Sequence, residues 1–199
     1  HRKSAKSPFQ DDELLYYAHQ VISGIAFLHD RGISHRDIKS ANIVLDGNLK
    51  ADRYYSSVKL CDFGVSVRQR QTPSLGQASS TKVGTEQYSA PEVLLRVPDA
   101  NPACSDIWSF AMFLVELLTL DAPYNLEPRE RRVGMIASRT LPSNLPHHPQ
   151  LSPLIDKCTN LEPTKRPTSL EVTNQIERLL NREPRALAFL SARNRLSWQ

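Results

Sequence analysis

The stretch His35-Arg36-Asp37-Ile38-Lys39-Ser40-Ala41-Asn42 gathers a carboxylate, two strong cations, an imidazole and a carboxamide within eight positions. That mixture suits the transfer of a phosphoryl group to a hydroxyl. Such a reaction needs a carboxylate beside the attacking oxygen, a cation on the moving phosphoryl and hard oxygen ligands for magnesium. Asp37 can orient the hydroxyl and accept its proton, Lys39 can neutralise the phosphoryl charge, and Asn42 offers a side-chain oxygen to the metal. A second acidic ligand is expected on a turn after a strand. Asp62-Phe63-Gly64 meets that requirement behind the β-prone run Val58-Lys59-Leu60-Cys61, and Gly64 lets the backbone pivot there. Taken singly, Asp37, Asn42 and Asp62 are ordinary turn residues, since Asp and Asn bond locally to loop backbone.

The neighbouring elements must hold these groups in place. From Asp11 onward Leu14, Ala18, Val21, Ile25 and Leu28 step by three and four, which predicts an amphipathic helix with acidic residues at its start and Gly32 at its end. The candidate catalytic stretch therefore sits on a loop behind a long helix. Asn42–Leu45 and Val58–Cys61 read as two short strands, with Asp46-Gly47-Asn48 as a turn signal between them. The segment Arg68 to Lys82 is rich in Gln, Ser and Thr, lacks apolar periodicity and reads as a long functional loop. Ser105 to Leu120 is apolar nearly all round and predicts a buried helix with Ser105 as its cap. Beyond it, frequent prolines predict short helices and rigid turns, with a last strong helix over Ser169–Leu180 and a basic tail over 182–199.

Composition narrows the classes. A chain of 199 residues, 40% hydrophobic and 23% charged, can bury one core. The formal charge of +4, from 25 basic and 21 acidic residues, is too mixed to suggest a nucleic-acid-binding field. Cys61, Cys104 and Cys158 form no disulfide framework or zinc pattern, so a reducing compartment is expected, cytoplasmic with the nucleus also open. His147-His148 has no partner ligands at metal spacing and reads as exposed loop. The longest apolar stretch, near Ile107 to Leu120, is broken by Ser109 and Glu116 and is too short to span a bilayer. No membrane or nucleic-acid partner is expected. The chain opens on His1, as a fragment, a processed product or an incomplete gene product would.

The order His-Arg-Asp with Asn five positions after the Asp, then Asp-Phe-Gly, then Gly84-Thr85-Glu86-Gln87-Tyr88-Ser89 running into Ala90-Pro91-Glu92, resembles the C-terminal lobe of a eukaryotic protein kinase from about Phe9 to Leu180. The resemblance implies a mainly α fold with a small β-ribbon, forming a kinase C-lobe over 1–181. It implies ATP and Mg2+ as cofactors, with a protein serine or threonine hydroxyl as acceptor. Asp37 is then the base, Lys39 the phosphate cation, Asn42 and Asp62 the metal ligands, and Thr85 helps to seat the acceptor. Val44 would floor the adenine pocket and Cys61 would line the nucleotide site. Asp106 matches an aspartate that holds the catalytic-loop backbone, and Arg166 an arginine that pairs with Glu92. His35 is expected to pack against the Asp-Phe-Gly turn and not to act as a base. Lys39 and Thr85 resemble the serine/threonine or dual-specificity branches. Arg36 implies a site switched by an upstream activating kinase, with Ser79, Ser80 and Thr81 as candidate acceptors. CDFGVS, GTEQYSAPE, ELLTLDAPY and CTNLEPTKRPT look like the MAPKK-related lymphokine-activated killer T-cell-originated, PDZ-binding kinases, although the chain ends Leu196-Ser197-Trp198-Gln199.

Three parts of a complete kinase do not appear in the 199 residues. The seven glycines include no GxG pair, and too few residues precede the first helix to supply a strand lysine and its glutamate partner. The N-terminal lobe is therefore expected to be absent, and the chain alone inactive or nearly so, because positioning and electrostatics supply most of this catalysis. The alternative function is a truncated, catalytically inactive kinase-like module that binds partners.

Overall fold

A computed structural model describes residues 9–46, 57–68 and 85–182. Ser79, Ser80, Thr81 and nearly all of the predicted long loop and basic tail lie outside them. Six helices and two small ribbons make up the described residues: α1 (Asp11–Asp30), β1 (Ile33–Ser34), β2 (Ile43–Asp46), β3 (Ser57–Leu60), β4 (Val67–Arg68), α2 (Pro91–Leu94), α3 (Pro102–Thr119), α4 (Arg129–Ala137), α5 (Ser152–Cys158) and α6 (Ser169–Leu180). The expected mainly helical fold with a little β-structure is what forms.

Helix α1 begins where its acidic first turn predicts. Gln10 and Glu13 close a reciprocal cap at its start. At its end Gly32 takes φ 66°, a left-handed conformation that costs glycine nothing, and its amide donates to the His29 carbonyl at 2.9 Å. This reversal aims the chain straight into His35. Helix α3 starts three residues earlier than expected, because Pro102 suits a first helical turn and the Asn101 side chain accepts from the Ala103 amide at 3.0 Å. Ser105, expected as the cap, instead donates to Glu92 Oε1 at 2.9 Å.

Helix α3 is the central post. Ile107, Trp108, Phe110, Ala111, Met112 and Leu114 are buried there, packed with Leu14, Ile22 and Ile25 of α1 and with Leu154, Ile155, Val172 and Ile176 from α5 and α6. Helices α1 and α6 lie against each other, joined at the edge by a 3.1 Å contact between His19 Nε2 and Glu177 Oε1.

The ribbons are antiparallel, and β1 and β3 pack against α1. Strands β2 and β3 pair Ile43 with Leu60 and Val44 with Lys59, while β1 and β4 pair Ile33 with Arg68 and Ser34 with Val67. The second ribbon went unpredicted, since two-residue strands leave no periodicity to read. It also means that Arg68 ends a strand and does not open a loop. Gly24 of α1 lets β3 approach closely, because a Cβ there would sit 3.1 Å from Leu60 Cδ1.

His148 corrects the expectation of an exposed histidine pair. His147 is exposed but His148 is buried, and its Nδ1 accepts from the amides of Gln150 and Leu151 at the entry to α5. A ring nitrogen serving as a local cap leaves no trace in metal-ligand spacing.

Candidate active site

The loop after β1 carries the densest polar network. The Asp37 carboxylate accepts four contacts: from Lys39 Nζ at 2.6 Å and Asn42 Nδ2 at 2.9 Å on Oδ2, and from the Thr85 amide at 3.1 Å and hydroxyl at 3.2 Å on Oδ1. Lys39 also donates to Thr85 Oγ1 at 2.8 Å, and Asn42 Nδ2 to the Asp37 carbonyl at 2.8 Å. Burial alone would raise the Asp37 pKa. The hydrogen bonds from Lys39 and Asn42, the Lys39 charge and the Thr85 hydrogen bond outweigh that cost and hold it below the usual carboxylate range. Asp37 is thus an ionised acceptor with a cation beside it.

Its backbone is held from below. Asp106, almost fully buried near the start of α3, accepts the His35 amide at 2.8 Å and the Arg36 amide at 2.7 Å, one on each oxygen. His29 Nε2 reaches the same carboxylate at 2.9 Å. These bonds fix Arg36 at φ 71°, a conformation unfavourable for a non-glycine residue, immediately before Asp37. Burial of the Arg36 guanidinium lowers its pKa, and Asp106 offsets part of that effect.

His35 ties this loop to the Asp62 turn. Its Nε2 lies 3.0 Å from the Cys61 carbonyl and must donate there, which leaves Nδ1 to accept the Asp37 amide at 3.3 Å. Its ring lies 5.0 Å from that of Phe63. With both nitrogens engaged, the buried imidazole is a brace. Ser66 adds a bond to the His35 carbonyl at 3.2 Å, and the Cys61 amide donates to the Asn42 carbonyl at 3.0 Å. Asn42 and the Asp62 turn are therefore stitched together across the β2–β3 ribbon.

Asn42 and Asp62 offer hard oxygen atoms, the ligand type that magnesium takes. Asn42 spends its amide hydrogens on Asp37, which leaves its side-chain oxygen as a hard ligand. Asp62 is exposed at φ 61°, and its Oδ1 accepts the Gly64 amide at 3.3 Å. Val44 is 48% exposed on β2, and Cys61 is half-buried just after β3. The structure thus brings Asp37, Lys39, Asn42 and Thr85 into one network and ties Cys61 and Asp62 to it, while Val44 lies on the adjoining ribbon. Among the described residues, an open, mostly apolar cleft is lined by Gly24, Phe27, Val58, Leu60 and Phe63.

Helices α2 and α3 fix the other wall. Glu92 and Arg166 form a buried bidentate pair, and Ser109 Oγ donates to the Tyr88 carbonyl at 2.8 Å. Sequence reasoning did not foresee Glu116, whose carboxylate accepts Ser40 Oγ at 2.6 Å and Tyr88 OH at 2.8 Å. Its only signal was a charge inside an otherwise apolar helix.

The model of the protein kinase domain matches residues 1–176. The chain belongs to the protein kinase family. It is 33% identical over 178 residues to the serine/threonine-protein kinase STY17 of Arabidopsis thaliana, covering 88% of this chain and 29% of that protein. It is 35% identical over 186 residues to the serine/threonine-protein kinase CTR1 of the same plant, covering 90% of this chain and 21% of that kinase. Against mitogen-activated protein kinase kinase kinase 1 of Mus musculus it is 29% identical over 178 residues, covering 86% of this chain and 11% of that kinase. The chain spans less than a third of the length of these curated relatives.

Proposed function

We propose that this chain provides the catalytic and metal-binding floor of a protein serine/threonine kinase that transfers the ATP γ-phosphoryl to a protein hydroxyl. The observation that carries this reading is the Asp37 carboxylate, kept ionised and ringed by Lys39, Asn42 and Thr85. Asp37 orients the acceptor hydroxyl and takes its proton, and Thr85 holds the acceptor side of that carboxylate. Lys39, within reach of both, meets the charge of the phosphoryl group. Asn42 and Asp62 would hold magnesium, which supplies charge neutralisation on the nucleotide phosphates.

The exposed apolar face around the ribbon supports a further part of the proposal, that a separate nucleotide-covering lobe completes the site. Phe27 is 57% exposed, Phe63 48% and Leu45 45%, apolar side chains that a second folded unit would cover. Val44 and Cys61 would then border the nucleotide. Arg36 would receive an activation-loop phosphate placed by an upstream kinase.

Calorimetry of the purified chain with ATP and magnesium, with Asp62→Asn as control, tests this reading. Magnesium-dependent binding lost in the variant supports a working nucleotide site. Absence of binding in both assigns the chemistry to a longer protein of which this chain supplies only the catalytic floor, and leaves the chain by itself as the alternative, a kinase-like module without catalysis.

A further inference from the structure

Glu116 is a carboxylate in the last turn of helix α3, and among the described residues no cation pairs with it. Two neutral hydroxyls hold it instead, Ser40 Oγ on Oε1 at 2.6 Å and Tyr88 OH on Oε2 at 2.8 Å. Bonds from hydroxyls to a carboxylate at these lengths are charge-assisted and among the stronger hydrogen bonds a protein makes. The two donors come from opposite sides of the site. Ser40 directly follows Lys39 and opens the short 3₁₀ turn that ends in Asn42. Tyr88 closes the turn that begins at Thr85, and its amide donates to the Thr85 carbonyl at 2.9 Å.

Burial, with the Glu116 charge beside it, holds the Tyr88 hydroxyl well above its usual pKa, so it stays a donor at any working pH. Ser109 fixes the Tyr88 carbonyl to the same helix at 2.8 Å. The Thr85 turn is therefore pinned to α3 at Ser109 and Glu116, about two helical turns apart, while the Lys39–Asn42 turn is pinned through Ser40.

The geometry points to Glu116 as a positioning residue that sets the Thr85 turn against the Lys39–Asn42 turn by bridging Tyr88 and Ser40. The inference rests on the kinase reading for its catalytic consequence but not for its structural content. A bridge of this kind works through hydrogen bonding. Glutamine keeps that capacity, since its amide can donate to one hydroxyl and its oxygen accept from the other, and alanine does not. A role in attracting a substrate cation would instead need the charge.

The test uses the 199-residue chain as wild type and as Glu116→Ala, Glu116→Gln, Ser40→Ala and Tyr88→Phe. Amide hydrogen exchange is followed over 37–42 and 85–89, with α1 and α6 as internal references. Glu116→Ala is expected to speed exchange in both segments, Ser40→Ala in the first alone and Tyr88→Phe in the second alone, with Glu116→Gln near wild type. Unchanged exchange in both segments of Glu116→Ala overturns the bridge. Equal acceleration in the reference helices also overturns it, by showing a general loss of stability.

Where the wild type turns over, Glu116→Ala is expected to lower kcat/KM for a protein substrate by about tenfold or more, as misplaced reacting groups do. The KM for ATP should hold and Glu116→Gln should restore most of the loss. A glutamine variant as poor as alanine, with the defect confined to substrates bearing a basic residue, would assign Glu116 to charge recognition and overturn the positioning role. Lack of turnover in the wild type is what a catalytic floor without its covering lobe would show, and the exchange data alone then decide the bridge.

Discussion

Glu92 and Arg166, 74 positions apart, close a two-bond fork in the interior, Nη1 to Oε1 at 2.7 Å and Nη2 to Oε2 at 2.8 Å. Their side chains are 6% and 0% exposed. Two further guanidinium donors go to the Asn160 and Cys104 carbonyls, and Ser105 fills a further acceptor site on Glu92. The fork joins α2, the segment just after the Thr85 turn, to the entry of α6. Arg166→Leu strands the carboxylate without its partner, and losing one member of a buried pair costs about 3–5 kcal/mol. A fall of that size in the unfolding free energy from urea titration is expected at neutral pH. A loss under about 1 kcal/mol, the range of exposed pairs, would show that the fork does not hold α2 in place.

The same pair sets an acid limit. Burial alone would raise the Glu92 pKa, but hydrogen bonds and charge from Arg166 outweigh it and hold the carboxyl below its usual range. A depressed folded-state pKa contributes stability that is fully present above the unfolded value, about 4.3, and is lost as pH falls through the folded one. Glu92→Gln removes that dependence. The stability gap between wild type and Glu92→Gln should therefore be constant from pH 7 to about 5 and shrink below about 4. A gap that widens on acidification would contradict the assignment.

Asp106 yields a third expectation. It accepts the amides of His35 and Arg36, and those bonds hold Arg36 at φ 71°. Asn at this position keeps the size but turns one acceptor into a donor facing an amide, a clash that costs about 1–3 kcal/mol. Asp106→Asn should lose stability in that range, and exchange at the amides of residues 35 and 36 should accelerate well beyond that of the α1 core. Protection equal to wild type at both amides would rule out Asp106 as their anchor.

The legibility of this fold followed the physics of each element. Helices α1 and α6 were readable to the residue because an amphipathic face and capping chemistry announce both their course and their ends. The start of α3 was misplaced because Ser105, a good cap by type, was needed by Glu92, and Asn101-Pro102 carried the real signal. The β2–β3 ribbon was legible to within one residue, whereas β1 and β4 were too short to leave a pattern. Asp37, Lys39 and Asn42 were visible because their chemistry is concentrated in one loop. Ser66 and Glu116, which bond His35 and Ser40 of the same loop, were not, since a lone hydroxyl or carboxylate acquires its role only from a neighbour distant in sequence.

The protonation of Asp37 offers the most direct check on the candidate site, because it can be read without turnover. A partly buried carboxylate would by itself titrate high. Lys39 Nζ at 2.6 Å and Asn42 Nδ2 at 2.9 Å favour the ionised form, and the net direction is downward. In carbon-13 spectra of the chain labelled at aspartate carboxyls, with the Asp37→Asn variant to assign the signal, the midpoint should fall below about 3.9, the value of a free side chain. Replacing Lys39 with methionine removes the closest donor and its charge while keeping an unbranched stem, so the midpoint should rise. The sign matters for function. A group ionised throughout the physiological range is ready to accept a hydroxyl proton at any moment, and its ionised form stabilises the fold above that midpoint and ceases to do so as pH falls through it. A wild-type midpoint above the free value, or one indifferent to loss of Lys39, would mean that burial dominates the site and that Asp37 is not held as a base.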